Sequence, residues 1–131
     1  MTEKKLLLIL ILTSFAHVGT NSTLPAVSFM TAASAATELG DLTKFKKIAI
    51  DTEALVDKGD LTAAKARIKD LETNWDEAEA GIKSRDASNW HLLDKSIDKV
   101  LTALRADSPK KEDCKKSLAD LRLQFEKLET K

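Results

Sequence analysis

His91 and Asp94 stand one helical turn apart, a spacing at which a carboxylate can orient an imidazole ring and shift its pKa. Such a pair could form part of a metal site, in which both side chains would be ligands. Zinc needs at least three protein ligands, however, and the chain beyond residue 36 contains no second histidine. A solvated histidine in the first turn of a helix is the alternative interpretation of His91.

Motifs for cofactors and catalysis are missing from the rest of the sequence. Paired Glu-x-x-His segments, which hold di-iron centres in helical bundles, do not occur, and neither does the Cys-x-x-Cys-His motif of covalent haem. Haem ligation within a helical core would need a histidine or methionine there, but Met1, His17 and Met30 all precede the first predicted helix. No nucleophile triad or glycine-rich phosphate loop is present. The sequence therefore predicts a protein that is not an enzyme and holds no cofactor.

Trp75 and Trp90 flank the segment 83–88, which places both indole rings toward the same end of two consecutive helices. With Lys83 and Arg85 they predict a partner-binding surface, because tryptophan and arginine are enriched at the centres of protein interfaces. An aromatic pocket for a small ligand is a second interpretation. Core packing is a third, since both tryptophans keep the register of the leucine and isoleucine stripe.

Charge is balanced along this chain, with 21 lysines and arginines against 21 aspartates and glutamates. Even the basic run at 110–116 contains Glu112 and Asp113, so its net charge is small. This balance argues against nucleic-acid binding, which needs uncompensated positive charge. Cys114 is the only cysteine and falls on an apolar stripe, which predicts a buried thiol and leaves pairing between chains open.

Four segments share one pattern, in which apolar residues recur alternately three and four positions apart and keep one face of an α-helix apolar. These stripes cover residues 42–56, 61–82, 90–104 and 114–128. Because the connections between them are short, the pattern predicts an all-α antiparallel up-down four-helix bundle with coiled-coil-like heptad packing, over residues 37–131. It leaves open whether the bundle closes within one chain or exchanges hairpins between two chains.

Residues that start and stop helices occur between the stripes. Gly59 follows the first stripe, where a left-handed residue ends a helix, and Asp60 can cap the second helix. Ser88 is the predicted cap of the third helix. Pro109 is the predicted first residue of the fourth, where its missing N–H costs nothing.

The first 35 residues predict a leader that directs export. A short basic start precedes the apolar run at 6–12, which is typical of a signal peptide, and small residues allow cleavage after Ala16 or after Ala35. The alternative is an uncleaved membrane anchor, because no charge occurs from residue 6 to residue 37. The predicted location is the periplasm or the medium, or the inner membrane if the leader stays attached.

Residues 59–72, 75–79 and 90–95 resemble a group of small exported helical proteins of Gram-negative bacteria, over roughly residues 37–128. This resemblance implies export and a helical fold but no particular activity. The pattern of Gly59, Ala64 and Leu71 is also similar to the last helix of b562-type periplasmic cytochromes. Those cytochromes carry a haem-ligating histidine there, whereas the second and fourth predicted helices contain none, so the resemblance does not extend to haem.

These observations lead to three hypotheses of function. The first is a non-enzymatic periplasmic module that binds an envelope protein or a small ligand, in envelope stress or as an accessory to transport. The second is a metal- or haem-responsive binder that uses His91 and Asp94. The third is a structural spacer tethered to the membrane by its leader.

Overall fold

The computed structural model describes residues 37–130, and the predicted leader at 1–35 lies outside them. Within the described residues the chain forms four α-helices and no strand, which confirms the all-α class. The helices are α1 (Thr43–Asp57), α2 (Leu61–Lys83), α3 (Ala87–Arg105) and α4 (Lys111–Glu129). None of these four helices combines the length and the apolar character needed to cross a lipid bilayer.

The apolar stripes of all four helices meet in one core. Each helix packs against two others, in the pairs α1 with α2, α2 with α3, α3 with α4, and α1 with α4. The largest fully buried side chains are Trp75, Phe125, Leu42, Ile68, Leu71, Leu93, Leu104, Leu118 and Leu121. Burial of a large apolar side chain contributes about 1.5–3 kcal/mol, so this core is the main source of stability. Cys114 belongs to it, as the sequence predicts.

Thr52 is the one buried polar side chain among residues 37–130. Its hydroxyl donates a hydrogen bond to the carbonyl oxygen of Ile48, one turn earlier, at 2.8 Å. A threonine hydroxyl can be buried in an apolar core without an unpaired donor, because its own helix supplies the acceptor.

The connection between α1 and α2 has the predicted terminating glycine and capping aspartate. Gly59 has a φ of +80°, in the left-handed region that favours glycine, and its N–H donates to the carbonyl of Val56 at 2.9 Å. The side chain of Asp60 then accepts from the backbone N–H of Ala63 at 2.9 Å and caps α2.

The predicted starts of α3 and α4 are both wrong by two residues. Asp86, and not Ser88, caps α3, because its carboxylate accepts hydrogen bonds from both the backbone and the side-chain amide of Asn89. These bonds, led by the one from the backbone amide, lower the pKa of Asp86. Helix α4 begins at Lys111 and not at Pro109, with Glu112 and Asp113 in its first turn. Acidic side chains are favourable there because the N-terminal end of a helix carries partial positive charge.

A short turn precedes α1 and adds to the core. Thr37 and Gly40 exchange backbone hydrogen bonds of 3.2 and 2.8 Å, and Gly40 has a φ of +98°. The turn places Leu39 and Leu42 among the buried side chains, where they lie 2% and 1% exposed. The core therefore extends beyond the first helix to the residues that lead into it.

Candidate interaction surfaces

Trp75 and Trp90 form the centre of an aromatic cluster. Their rings stack with centroids 5.9 Å apart and planes 12° apart, and Phe45 meets Trp75 edge-on at 5.2 Å. Trp75 is 1% exposed and Trp90 is 6% exposed, so both belong to the core. Of the four residues predicted to form a partner surface, the two aromatic ones thus contribute to packing inside this chain.

The two indole N–H groups have different surroundings, although the rings are stacked on each other. Trp75 Nε1 donates a hydrogen bond to Asp94 Oδ1 at 3.1 Å. Trp90 Nε1 is buried and has no acceptor among the residues that the structure describes, 37–130. An unpaired buried donor destabilises the folded state by about 1–3 kcal/mol, because it has lost its hydrogen bond to water.

Asp94 carries a raised pKa. Its partial burial is the main cause, and the hydrogen bond from Trp75 acts in the opposite direction. Asp98, Asp76 and Glu79 raise the pKa further by repulsion between like charges. Asp94 therefore serves as an acceptor for a core tryptophan, in surroundings that disfavour its charge.

His91 is exposed, and its ring meets the edge of Trp90 at a centroid distance of 5.0 Å. The hydrogen bond that Asp94 makes goes to Trp75, on α2. Among residues 37–130, no three histidine, cysteine, aspartate or glutamate side chains form a group that could hold a metal ion.

Lys83 and Arg85 lie on different sides of the α2 end. Lys83 Nζ is 4.4 Å from the centroid of the Trp90 ring, a cation–π distance, and 2.8 Å from Glu79 Oε1. The guanidinium of Arg85 rests against the backbone of Gly40, so close that a Cβ on that glycine would lie 2.9 Å from Nη1. Arg85 also lines a groove of about 340 Å³ whose rim includes Asp41 and Glu77.

Ion pairs join three of the four pairs of neighbouring helices. Helices α1 and α4 share three, at 2.6 Å for Lys46 with Glu129, 2.9 Å for Asp57 with Lys115, and 3.4 Å for Glu53 with Arg122. Asp51 with Arg67 joins α1 to α2, and Glu72 with Arg105 joins α2 to α3. No ion pair or side-chain hydrogen bond joins α3 to α4, both of which lie wholly within the described residues.

We call the α3–α4 face the set of eight exposed residues along the boundary of these two helices. They are Leu92, Lys95, Asp98, Lys99, Asp113, Lys116, Asp120 and Leu123. The six charged members line a groove of about 560 Å³, and none of them forms an ion pair within residues 37–130. Leu92 and Leu123 are 53% and 46% exposed, the two highest values among the large apolar side chains of this range.

Helix geometry explains why the two leucines share a face with unpaired charges. Leu92, Lys95 and Lys99 are spaced three and four residues apart, as are Lys116, Asp120 and Leu123, so each set lies along one side of its helix. Both sets lie away from the buried stripes. The apolar stripes do not predict this face, although a leucine in an otherwise charged row is a visible signal of it in the sequence.

Comparisons with known proteins give no significant match for this chain among protein-family models, curated proteins or solved structures. The resemblance to small exported helical proteins therefore stays a prediction. Of the two candidate surfaces, the α3–α4 face is the more exposed, and its charges form fewer ion pairs within residues 37–130.

Proposed function

We propose that this chain is a non-enzymatic exported helical module that binds a partner protein through the α3–α4 face. The observation that carries the proposal is the combination of exposed leucines and unpaired charges on that face. Two of the three large apolar side chains exposed within residues 37–130 lie there, and the third is Ile50 on α1. Exposed apolar side chains beside charged ones are a common composition of a protein interface, and here the two leucines stand at one end of the charged groove.

We further propose that the four helices run alternately up and down, with shallow coiled-coil-like packing. Contacts between opposite helix ends support this arrangement. Lys46, near the start of α1, pairs with Glu129 at the end of α4, and Asp57, at the end of α1, pairs with Lys115 near the start of α4. The connections at 58–60, 84–86 and 106–110 also favour antiparallel neighbours, because a short connection forces the next helix to turn back along the previous one.

An antiparallel α3–α4 hairpin places the two exposed leucines at one height. Leu92 stands 13 residues before the end of α3 at Arg105, and Leu123 stands 12 residues after the start of α4 at Lys111. With a rise of about 1.5 Å per residue, the two positions then differ in height by only about one residue. A partner would meet both leucines together, on helices already held rigid by the core, so binding would cost little conformational entropy.

The test is site-specific photo-crosslinking in the native cell envelope, with a crosslinking residue at position 99. Position 65, an exposed lysine on α2, is the matched control. We expect a protein adduct from position 99 that is absent from position 65, is lost in Leu123→Glu and is kept in Ile50→Glu. An adduct that Leu123→Glu does not change, or equal adducts from both positions, would contradict the proposal.

Export is part of the same proposal and is supported by the basic start and apolar run of the leader sequence. N-terminal mass determination on the same envelope sample measures it directly. A chain that begins after Ala16 or Ala35 is the expected result. An intact Met1 in the membrane fraction would favour the tethered spacer instead.

A further inference from the structure

We infer that the partner at the α3–α4 face is a second copy of this chain, bound across a two-fold axis parallel to the helices. This inference rests on the proposed function, since it names the partner of the same face. Its basis is the order of apolar, positive and negative side chains along α3 and α4.

The face has no net charge of its own. Three lysines and three aspartates line its groove, and none of the six forms an ion pair within residues 37–130. A strongly acidic or strongly basic partner would gain from one half of these charges and be repelled by the other half. A partner with the same mixture of charges, in matching order, can satisfy both.

The spacing of these charges from the leucines is what makes the face complementary to itself. Along α3, Lys95 stands three residues after Leu92 and Asp98 stands six after it. Along α4, counted back from Leu123, the first charge comes at the same interval with opposite sign, and the second comes one residue further along than Asp98 does on α3. Asp120 stands three residues away, and Lys116 stands seven away. At about 1.5 Å per residue, the first charges lie about 4.5 Å from their leucines and the second about 9–10.5 Å.

A two-fold axis parallel to the helices sets α3 of one copy against α4 of the other at equal height. Leu92 then meets Leu123 of the second copy, and Lys95 meets Asp120. Asp98 meets Lys116 in the same way, and the longer side chain of Lys99 reaches toward Asp113. Symmetry makes each contact occur twice. Lys99 stands seven residues after Leu92, the same interval that separates Lys116 from Leu123, so these two lysines lie at one height and Asp98 and Asp113 must offset their repulsion.

The size of the α3–α4 face indicates how tightly the two copies should bind. Helices α3 and α4 are 19 residues each, about 28 Å, and a stable interface commonly buries about 800 Å² on each partner. Two helices with one exposed leucine each would supply an interface at the lower end of this class. We expect a reversible dimer whose population rises with protein concentration and falls with added salt.

Sedimentation equilibrium on the purified chain, over a concentration series, tests the inference. We expect the wild-type chain and Ile50→Glu to dimerise equally and Leu123→Glu to be monomeric. Lys95→Glu and Asp120→Lys should each weaken the dimer about tenfold, since each reversed charge occurs twice. The double variant Lys95→Glu/Asp120→Lys should recover most of that loss, because its charges again match across the axis. Circular dichroism on each variant checks that the helices are retained.

Two results would overturn the inference. One is a chain that stays monomeric at every concentration, and the other is a dimer that Leu123→Glu leaves intact. The crosslink at position 99 separates this failure from failure of the proposed function. A second copy in the adduct supports both. A different protein, lost in Leu123→Glu, overturns self-association and leaves the partner-binding function standing, whereas no adduct at all overturns both.

Discussion

Replacing each tryptophan by phenylalanine applies one chemical change at two stacked positions whose N–H groups have different surroundings. At Trp75 the change removes a donor that Asp94 uses. At Trp90 it removes a buried donor that has no acceptor. We therefore expect Trp75→Phe to lower the free energy of unfolding much more than Trp90→Phe.

The size of the difference follows from terms that the two variants do not share. Both lose similar apolar contacts, because both rings are buried and each stacks on the other. Trp75→Phe also loses a hydrogen bond to a carboxylate, about 1.5–3 kcal/mol, and Trp90→Phe regains the roughly 1–3 kcal/mol by which an unpaired buried donor destabilises the fold. Relaxation around the smaller rings reduces these values, so we expect a difference of at least about 2 kcal/mol.

Denaturant unfolding followed by far-ultraviolet circular dichroism is the suitable assay, since each variant removes one of only two fluorescent tryptophans. Trp75→Phe combined with Asp94→Ala completes a double-mutant cycle that isolates the hydrogen bond, because alanine removes the acceptor. Equal losses for Trp75→Phe and Trp90→Phe would refute the reasoning, and so would a larger loss for Trp90→Phe.

Four further predictions concern single residues. Because the folded-state pKa of Asp94 is raised, its charged form destabilises the fold at neutral pH, and protonation removes this effect as the pH falls through that pKa. Asp94→Asn should thus raise the melting temperature at neutral pH, and the gain should disappear in acid. Gly81→Ala should stabilise the protein by about 0.5–1 kcal/mol, since the site lies inside α2 with open space around it. Gly59→Ala should destabilise it by about 1 kcal/mol, because the φ of Gly59 is positive. Denaturant unfolding measures both changes. Burial raises the pKa of the Cys114 thiol, so a maleimide reagent should label it no faster than the chain unfolds, and rapid labelling of the native protein would contradict its position in the core.

The number of helices and most of the core could be predicted from the sequence because both depend on local spacing. Residues at 114, 118, 121, 125 and 128 must share one side of any helix that contains them, and all five are buried. Leu39 escaped the prediction because it reaches the core from a turn, where no periodic pattern marks it.

Helix starts were harder, because neighbouring residues compete for the same role. Ser88 is a sound cap by type, but Asp86 can accept from two amide groups of Asn89 at once. Pro109 suits a first helical position, yet α4 begins later, with Glu112 and Asp113 in its first turn. Local propensity alone does not rank such alternatives.

The α3–α4 face could not be predicted from the pattern of any single helix, because it depends on how the helices pack together. Trp75 and Trp90 suggested an interface by residue type, but their exposure depends on how α1, α2 and α3 pack around them. The α3–α4 face depends on which helices are neighbours and on which charges find partners elsewhere. Lys115 pairs with α1 while Lys116, the next residue, pairs with nothing in residues 37–130, and only the packed arrangement distinguishes them.

The ion pair between Lys46 and Glu129 joins residues 83 positions apart in the sequence. Bringing residues so far apart in the sequence together costs more chain entropy than closing the short hairpin loops between successive helices. The boundary between α1 and α4 is then expected to form last during folding and to open first during unfolding. Its three ion pairs would act on the rate of unfolding more than on the rate of folding, and so lengthen the lifetime of the folded chain.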